Sequence, residues 1–411
     1  MLAPLAVPDG AVAGADIVRE LAPELSLTVW QALRSVLLWA AQEPSARGEL
    51  WERATMVAWE EELLEAPLDN DLRYPLAVIA GELALGAGAD PDRLSRGCVC
   101  VTEWALSNGA VCTALAFAEA AAHAWPEHGR YAWLVGRLLR AHGRLRDAEL
   151  WIRRAVQVAV STGDWETQTL GLNSLGNVFY ERGNYREATS SHVQALRIAR
   201  RQQLREREGE ILHDLFVSTW HTGDLEQAEG YARSALEIYQ GGHERLPALA
   251  YDIAFSWMSN GYFERALPLL IELSDRFDRQ GDQVRVLASS ARAAAACGRE
   301  ALFNEYAKRT ETAAAAVTGH GVAYAMFALG LGAWNLKRWN DASEYLIRAL
   351  MIAEQRGEAD VTSNAEAALS SVRMRQLAEV SQRESSPHVS LKRAALASHF
   401  ASSLRAVAAA P

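Results

Sequence analysis

Apolar positions recur at helical spacing along almost the whole chain. In residues 172–199, LNSLGNVFYERGNYREATSSHVQALRIA, they fall at Leu172, Leu175, Gly176 and Phe179, and again at Ala188, His192 and Ala195. Gly183-Asn184 parts the two runs, so the stretch predicts a helix, a tight turn and a second helix. Each helix is apolar on one face only and cannot bury that face alone. The same period predicts helices over residues 25–41, 49–65, 72–85 and 92–107, with Gly86-Ala87-Gly88 as a breaker. In the second of these, Trp51, Met56 and Trp59 point inward, while Glu60, Glu61 and Glu62 face mostly outward. Residues 1–20 read as a flexible lead.

The helix–turn–helix pattern then repeats. Gly109, Gly143, Gly183, Gly223, Gly261, Gly298 and Lys337 each separate two helical runs, at intervals of 34, 40, 40, 38, 37 and 39 residues. Glycine suits such a turn because it tolerates positive φ. Small residues at Gly176, Ala188 and Ala195 let helices approach closely, and Phe179 and Tyr185 fill the space between them. The longer intervals predict second helices extended by about a turn through ARRQQLREREGE and DRFDRQGDQ. Past Met351 the sequence predicts closing helices. A Ser-rich linker with Pro387 follows, and then an amphipathic helix over residues 391–409, either detached or folded back, with Leu396, Phe400, Leu404 and Val407 on one side.

The spacing in residues 172–199 follows the helical-hairpin repeat W-x2-L-G-x2-Y…A-x3-F and resembles a tetratricopeptide repeat. Leu172 stands at the tryptophan position, and Arg200 where the pattern ends in proline. The resemblance extends over about residues 95–370 and implies an all-α, right-handed α-solenoid of stacked hairpins. Its expected organisation is an acidic helical region at 1–94 (degenerate repeats or a separate helical cap), a repeat array at 95–370, and a capping helix, linker and basic tail at 371–411. By resemblance, a peptide or partner protein lies in a concave groove formed by the first helices. The family register places Trp133, Arg137, Asn173, Asn177, Tyr180, Asp214, His221, Tyr251, Asp252, Arg285, Arg292, Tyr324, Phe327 and Trp334 along that groove. Asparagine amides both donate and accept, so they can pair with a peptide backbone whatever its sequence. Arginines fork onto carboxylates, and aromatics add contact area at low entropy cost.

Composition narrows the functional classes. The net charge of −10 is concentrated early: residues 1–100 hold 16 Asp/Glu against 7 Lys/Arg, and the rest are nearly balanced. No basic field points to direct nucleic-acid binding. No run approaches the roughly 18 apolar residues of a membrane helix. Four cysteines, Cys98, Cys100, Cys112 and Cys297, are too few for a disulfide framework and predict reduced thiols in a cytoplasmic protein.

Catalytic and metal signatures are lacking at the level of sequence. Cys98 and Cys100, two apart on a predicted helix, point in different directions and do not form a metal pair. His213 and His221 are too far apart for a paired metal site. No phosphate-cradling glycine loop or nucleophile elbow occurs. The arginines between 137 and 154 and between 197 and 207 alternate with glutamates and read as solvated helix faces. A catalytic site would need a cluster of titratable residues hidden in residues 1–95. The expectation is a non-enzymatic scaffold or adaptor binding a peptide or protein, with no cofactor, metal, membrane or direct nucleic-acid partner. The alternative is a ligand-responsive regulatory sensor without its own DNA-binding domain.

Overall fold

The computed structural model describes residues 14–240, 242–277, 279–317, 321–376 and 387–408. Among them every regular element is helical, and no helix is long and apolar enough to cross a membrane. The chain divides into two compact units, Met1–Asp214 and Leu215–Pro411.

The first unit contains α1 (Ile17–Glu20), α2 (Pro23–Ala41), α3 (Arg53–Glu65), α4 (Asn70–Ala84), α5 (Pro91–Ser107), α6 (Val111–Ala124), α7 (Gly129–Ala141), α8 (Leu145–Thr162), α9 (Trp165–Glu181) and α10 (Tyr185–Arg201). Helix α11 (Arg205–His221) begins in it and ends in the second. From α5 onward the helices pair as antiparallel hairpins, α5 with α6, α7 with α8 and α9 with α10.

The hairpin of α9 and α10 shows why the local sequence folds this way. Gly183 has φ +75°, and its N–H donates to the Tyr180 carbonyl while that of Asn184 reaches back to Phe179, closing the end of α9. The Asn184 side chain then accepts from the Glu187 N–H and caps α10. Behind the turn, Ala188, Ala195 and Ala199 are fully buried, and Gly176 lies directly against the His192 ring. All seven turn positions read from the sequence adopt positive φ, including Lys337 at +61°.

Three expectations need correction. Residues 1–13 lie outside the described residues, but the rest of the expected lead is pinned: Ile17 is buried, and the Glu20 carboxylate accepts the N–H groups of Cys112 and Thr113 at 2.7 and 2.8 Å, capping α6. Partial burial raises the Glu20 pKa, but these hydrogen bonds outweigh it and hold the carboxylate below its usual value. The helix expected over 49–65 starts only at Arg53, because Pro44–Glu49 forms a 3-10 stretch. The extra length of the repeats does not come from second helices alone. First helices α9 and α11 each run 17 residues, whereas α14 stops at Leu273, where the Arg276 side chain donates to the Glu272 carbonyl.

The second unit continues with α12 (Leu225–Ile238), α13 (Leu246–Ser259), α14 (Phe263–Leu273), α15 (Gln280–Ala296), α16 (Glu300–Ala315), α17 (Val322–Asn335), α18 (Trp339–Arg356), α19 (Ala359–Arg373) and α20 (Pro387–Ala408). Helix α19 covers α17 and α18 as the closing helix. The expected linker falls partly outside the described residues, and Pro387 already opens α20. Helix α20 folds back onto α14, with Leu396, Phe400 and Leu404 buried. Its Arg393 forms a buried ion pair with Glu229 of α12, which also accepts the Trp257 indole N–H at 2.9 Å.

Candidate functional site

In the first unit, helices α7, α9 and the start of α11 lie side by side and are tied to one another by side chains. On α7, Arg130, Trp133 and Arg137 share one stripe, with the two guanidinium groups 4.5 and 5.3 Å from the indole. Trp133 donates its indole N–H to Ser174 of α9 at 2.9 Å, and Arg140 pairs with Glu181. Glu166, at the start of α9, faces Arg130 at 3.7 Å and Arg207 of α11 at 3.4 Å. Arg207 is also held by both oxygens of Glu210 at 3.0 Å.

The centre of this face is Asp214. Its Oδ2 accepts the Asn173 amide at 2.7 Å and the Asn177 amide at 3.1 Å. The Asn177 carbonyl oxygen faces the His192 Nε2 of α10 at 3.2 Å. Burial holds the His192 imidazole below its ordinary pKa, against the upward pull of Asp214 and of a hydrogen bond to the Asn173 backbone. The half-buried Asn173, Asn177, Tyr180 and Asp214 border one face, with Tyr180 one turn beyond Asn177 and its ring 5.5 Å from that of Tyr185. The structure thus brings together Trp133, Arg137, Asn173, Asn177 and Asp214. Ser174, Arg130, Arg207 and Glu210 join them unforeseen; Arg130 and Arg207 stand seven residues before Arg137 and Asp214, a helical stripe that was available in the spacing.

A different chemistry occupies α13, α15 and α17 in the second unit. The hydroxyl of Ser289 lies 3.1 Å from both the Tyr251 and the Tyr324 hydroxyls. Arg285 sits over both tyrosine rings, 5.4 and 5.6 Å from their centres, and 4.0 Å from Asp282. Burial lowers the Arg285 pKa, but the surrounding phenols, Asp252 and Asp282 more than reverse this and raise it. Tyr251 itself is only 6% exposed, so it supports the cluster from beneath rather than offering surface. His221 is exposed with its ring on Trp220, which meets Phe255 edge-on at 5.9 Å.

Three of the expected groove residues lie apart from this cluster. Arg292 sits over Phe263 of α14, and Trp334 donates its indole N–H to the Gln376 carbonyl beyond α19. Phe327, half-buried, is on α17 one turn after Tyr324.

Two clefts open near the beginning of the first unit. One, of about 430 Å³, is lined by Tyr74, Pro75, Val78, Arg93, Arg96, Gly97 and Cys100; the other, of about 260 Å³, includes Trp30, Arg34, Trp51, Met56 and Trp59. Cys98 is buried while Cys100 is exposed, so their thiols do face opposite ways, and all four cysteines are free. Among the described residues no group of three His, Cys, Asp or Glu could hold a metal ion.

Comparison with known proteins adds a family to this geometry. The family model of the tetratricopeptide repeat matches residues 171–201. No curated protein matches the chain significantly. Among solved structures, it is similar to a signal transduction ATPase with numerous domains, carrying a tetratricopeptide repeat sensor, from Pyrococcus horikoshii. That likeness has 13% identity over 90% of this chain and 63% of that one, with a TM-score of 0.52. It is also similar to the Rap conjugation gene regulator of plasmid pLS20 in complex with the Phr* peptide, at 14% identity over 86% and 99% of the two chains, TM-score 0.44. A third is BtubC from P. vanneervenii, at 19% identity over 53% and 93%, TM-score 0.44. With the repeat signature matched in the α9–α10 hairpin and helical hairpins on either side of it, the chain carries a tetratricopeptide repeat within an all-α repeat fold.

Proposed function

We propose that this protein is a non-enzymatic scaffold or adaptor that holds a peptide or protein segment along the first-helix face, in the groove the repeat family uses. The observation that supports it most is the half-buried Asn173–Asn177–Asp214 centre, bordered by Trp133 and Tyr180. Such a face combines amides for backbone pairing with rigid aromatic surface, and its groups are held in place before any ligand arrives. The free cysteines fit a reducing, cytoplasmic location.

The test is a displayed random-peptide selection on the full-length protein, together with capture of bound proteins from lysate. Wild type is compared with an Asn173→Ala/Asn177→Ala variant that circular dichroism shows to be folded at the assay temperature. Ligands held by wild type and lost by the variant support the reading; equal retention by both overturns it.

A second reading, a ligand-responsive sensor, is favoured by α20. An amphipathic helix that returns to α12 and α14 through the Arg393–Glu229 pair is an element whose docking can report on the array. Hydrogen exchange over residues 392–406 should then change when a selected peptide binds; unchanged protection rejects the sensor and leaves the scaffold.

A further inference from the structure

The hydrogen bonds around Asp214 do not balance. Both asparagine amides donate to Oδ2, while Oδ1 takes no hydrogen bond among the described residues. No Lys or Arg among them forms an ion pair with this carboxylate: Arg207, two turns earlier on the same helix, is taken by Glu210 and Glu166. His192 is buried and turns its Nε2 to Asn177 and not to this carboxylate. The Asn173 Oδ1 is buried with no partner among the described residues. Both amides thus converge on one carboxylate oxygen, and Asp214 Oδ1, Asn173 Oδ1 and the negative charge are left without a donor or cation among the described residues.

A half-buried carboxylate without a cation carries a desolvation cost that a neutral N–H relieves only in part. An anionic ligand group would add repulsion. A guanidinium or ammonium group supplies several donors and the missing charge together. We infer that the first-helix face of the first unit holds a cation subsite at Asp214, which receives a positively charged group of the bound peptide. This deepens the peptide-binding reading above and rests on it. Trp133 and Tyr180 border the same face and offer apolar surface to the stem behind the charged head. The cation can come from an Arg or Lys side chain or from the peptide's free amino terminus.

The experiment uses the full-length protein as wild type and as Asp214→Asn, which keeps an oxygen to accept the two amides but removes the charge. A displayed random-peptide library is selected on both, and individual wild-type binders are synthesised with free and with acetylated amino termini. The inference expects Arg or Lys at a constant position, or sensitivity to acetylation, among wild-type binders. It expects those binders to lose at least about 30-fold on Asp214→Asn, the scale of truncating one partner of a desolvated charge pair. Exchanging the basic residue for Gln, or acetylating, should weaken wild type by a similar factor and Asp214→Asn hardly at all. Whichever change acts identifies the source of the charge. Binders without basic enrichment or acetylation sensitivity, yet lost on Asn173→Ala/Asn177→Ala, overturn the cation subsite and leave peptide binding standing. A library that yields no binder overturns both.

Discussion

Substituting Gly176 by alanine should destabilise the protein although alanine is the better helix former. Gly176 lies inside α9 opposite His192 of α10. A Cβ added there would overlap His192 Cδ2 and Nε2 outright and stand 2.9 Å from its Cε1, well inside the usual contact distance. The ring cannot step aside freely, because it is fully buried and bonded to Asn177. Overpacking of this kind costs about 1–3 kcal/mol, and losing the buried hydrogen bond adds about 1 kcal/mol. The helix-propensity gain returns at most about 1 kcal/mol, so the expected net loss is about 1–3 kcal/mol. Gly230 in α12 is the control: a Cβ added there would meet nothing within 4 Å, so Gly230→Ala should gain up to about 1 kcal/mol. Urea and thermal melts by circular dichroism rank the variants, and hydrogen exchange over residues 170–200 localises the damage. A Gly176→Ala protein as stable as wild type would refute the close-approach argument for this hairpin.

Three further perturbations test other parts of the fold. Glu229→Ala leaves the Arg393 guanidinium and the Trp257 indole buried without their acceptor, a loss of about 3–5 kcal/mol for that contact; limited proteolysis should then cut within residues 392–406, and an uncut helix would contradict the ion pair's role. Lys337→Gly relieves a left-handed residue at φ +61° and should raise the melting temperature through about 1 kcal/mol of added stability; no gain would mean that the turn carries no strain. His123 is buried against Trp151, and burial first, with Arg154 second, depresses its pKa from 6.5 to about 4. Because the unfolded chain binds the proton more readily, its contribution is complete above pH 6.5 and is lost as pH falls toward 4. That amounts to about 3 kcal/mol, and His123→Gln should flatten stability between those pH values.

The hairpins were readable because their turns must solve a backbone problem with few solutions. A helix ending in a left-handed residue, followed at once by an Asn or Asp cap, leaves the visible pairs Gly183-Asn184 and Gly223-Asp224, and even Lys337 betrayed itself by register. The pinning of α1 was not readable, since Glu20 caps a helix start more than ninety residues away and no local spacing records that. The docking of α20 was open for the same reason: its amphipathic face was plain, but the acidic partners Glu226, Glu229 and Glu272 are spread over two other helices. On the candidate face, the register selected Asn173, Asn177 and Asp214 as neighbours of a groove. It could not show that they bond to one another, because that depends on how far adjacent hairpins slide.

That mutual bonding changes what a groove residue means. In a repeat array each first helix presents one stripe, and its polar members can be satisfied by the equivalent stripe on the next hairpin. Tyr251, Ser289 and Tyr324 close such a chain: each hydroxyl has a neighbour at 3.1 Å, so their position on the face reflects the stacking of hairpins. Trp133 and Ser174 do the same in the first unit. At Asp214 the chain does not close, since two amides converge on one oxygen and leave the other, with the charge, unanswered. Binding should therefore concentrate where satisfaction between hairpins fails. On that reasoning Asn177→Ala, which removes one donor to Oδ2, should cost stability as well as affinity, whereas Asp214→Asn should cost affinity for a cationic ligand and little stability. The two variants separate a residue that builds the face from one that reads the ligand.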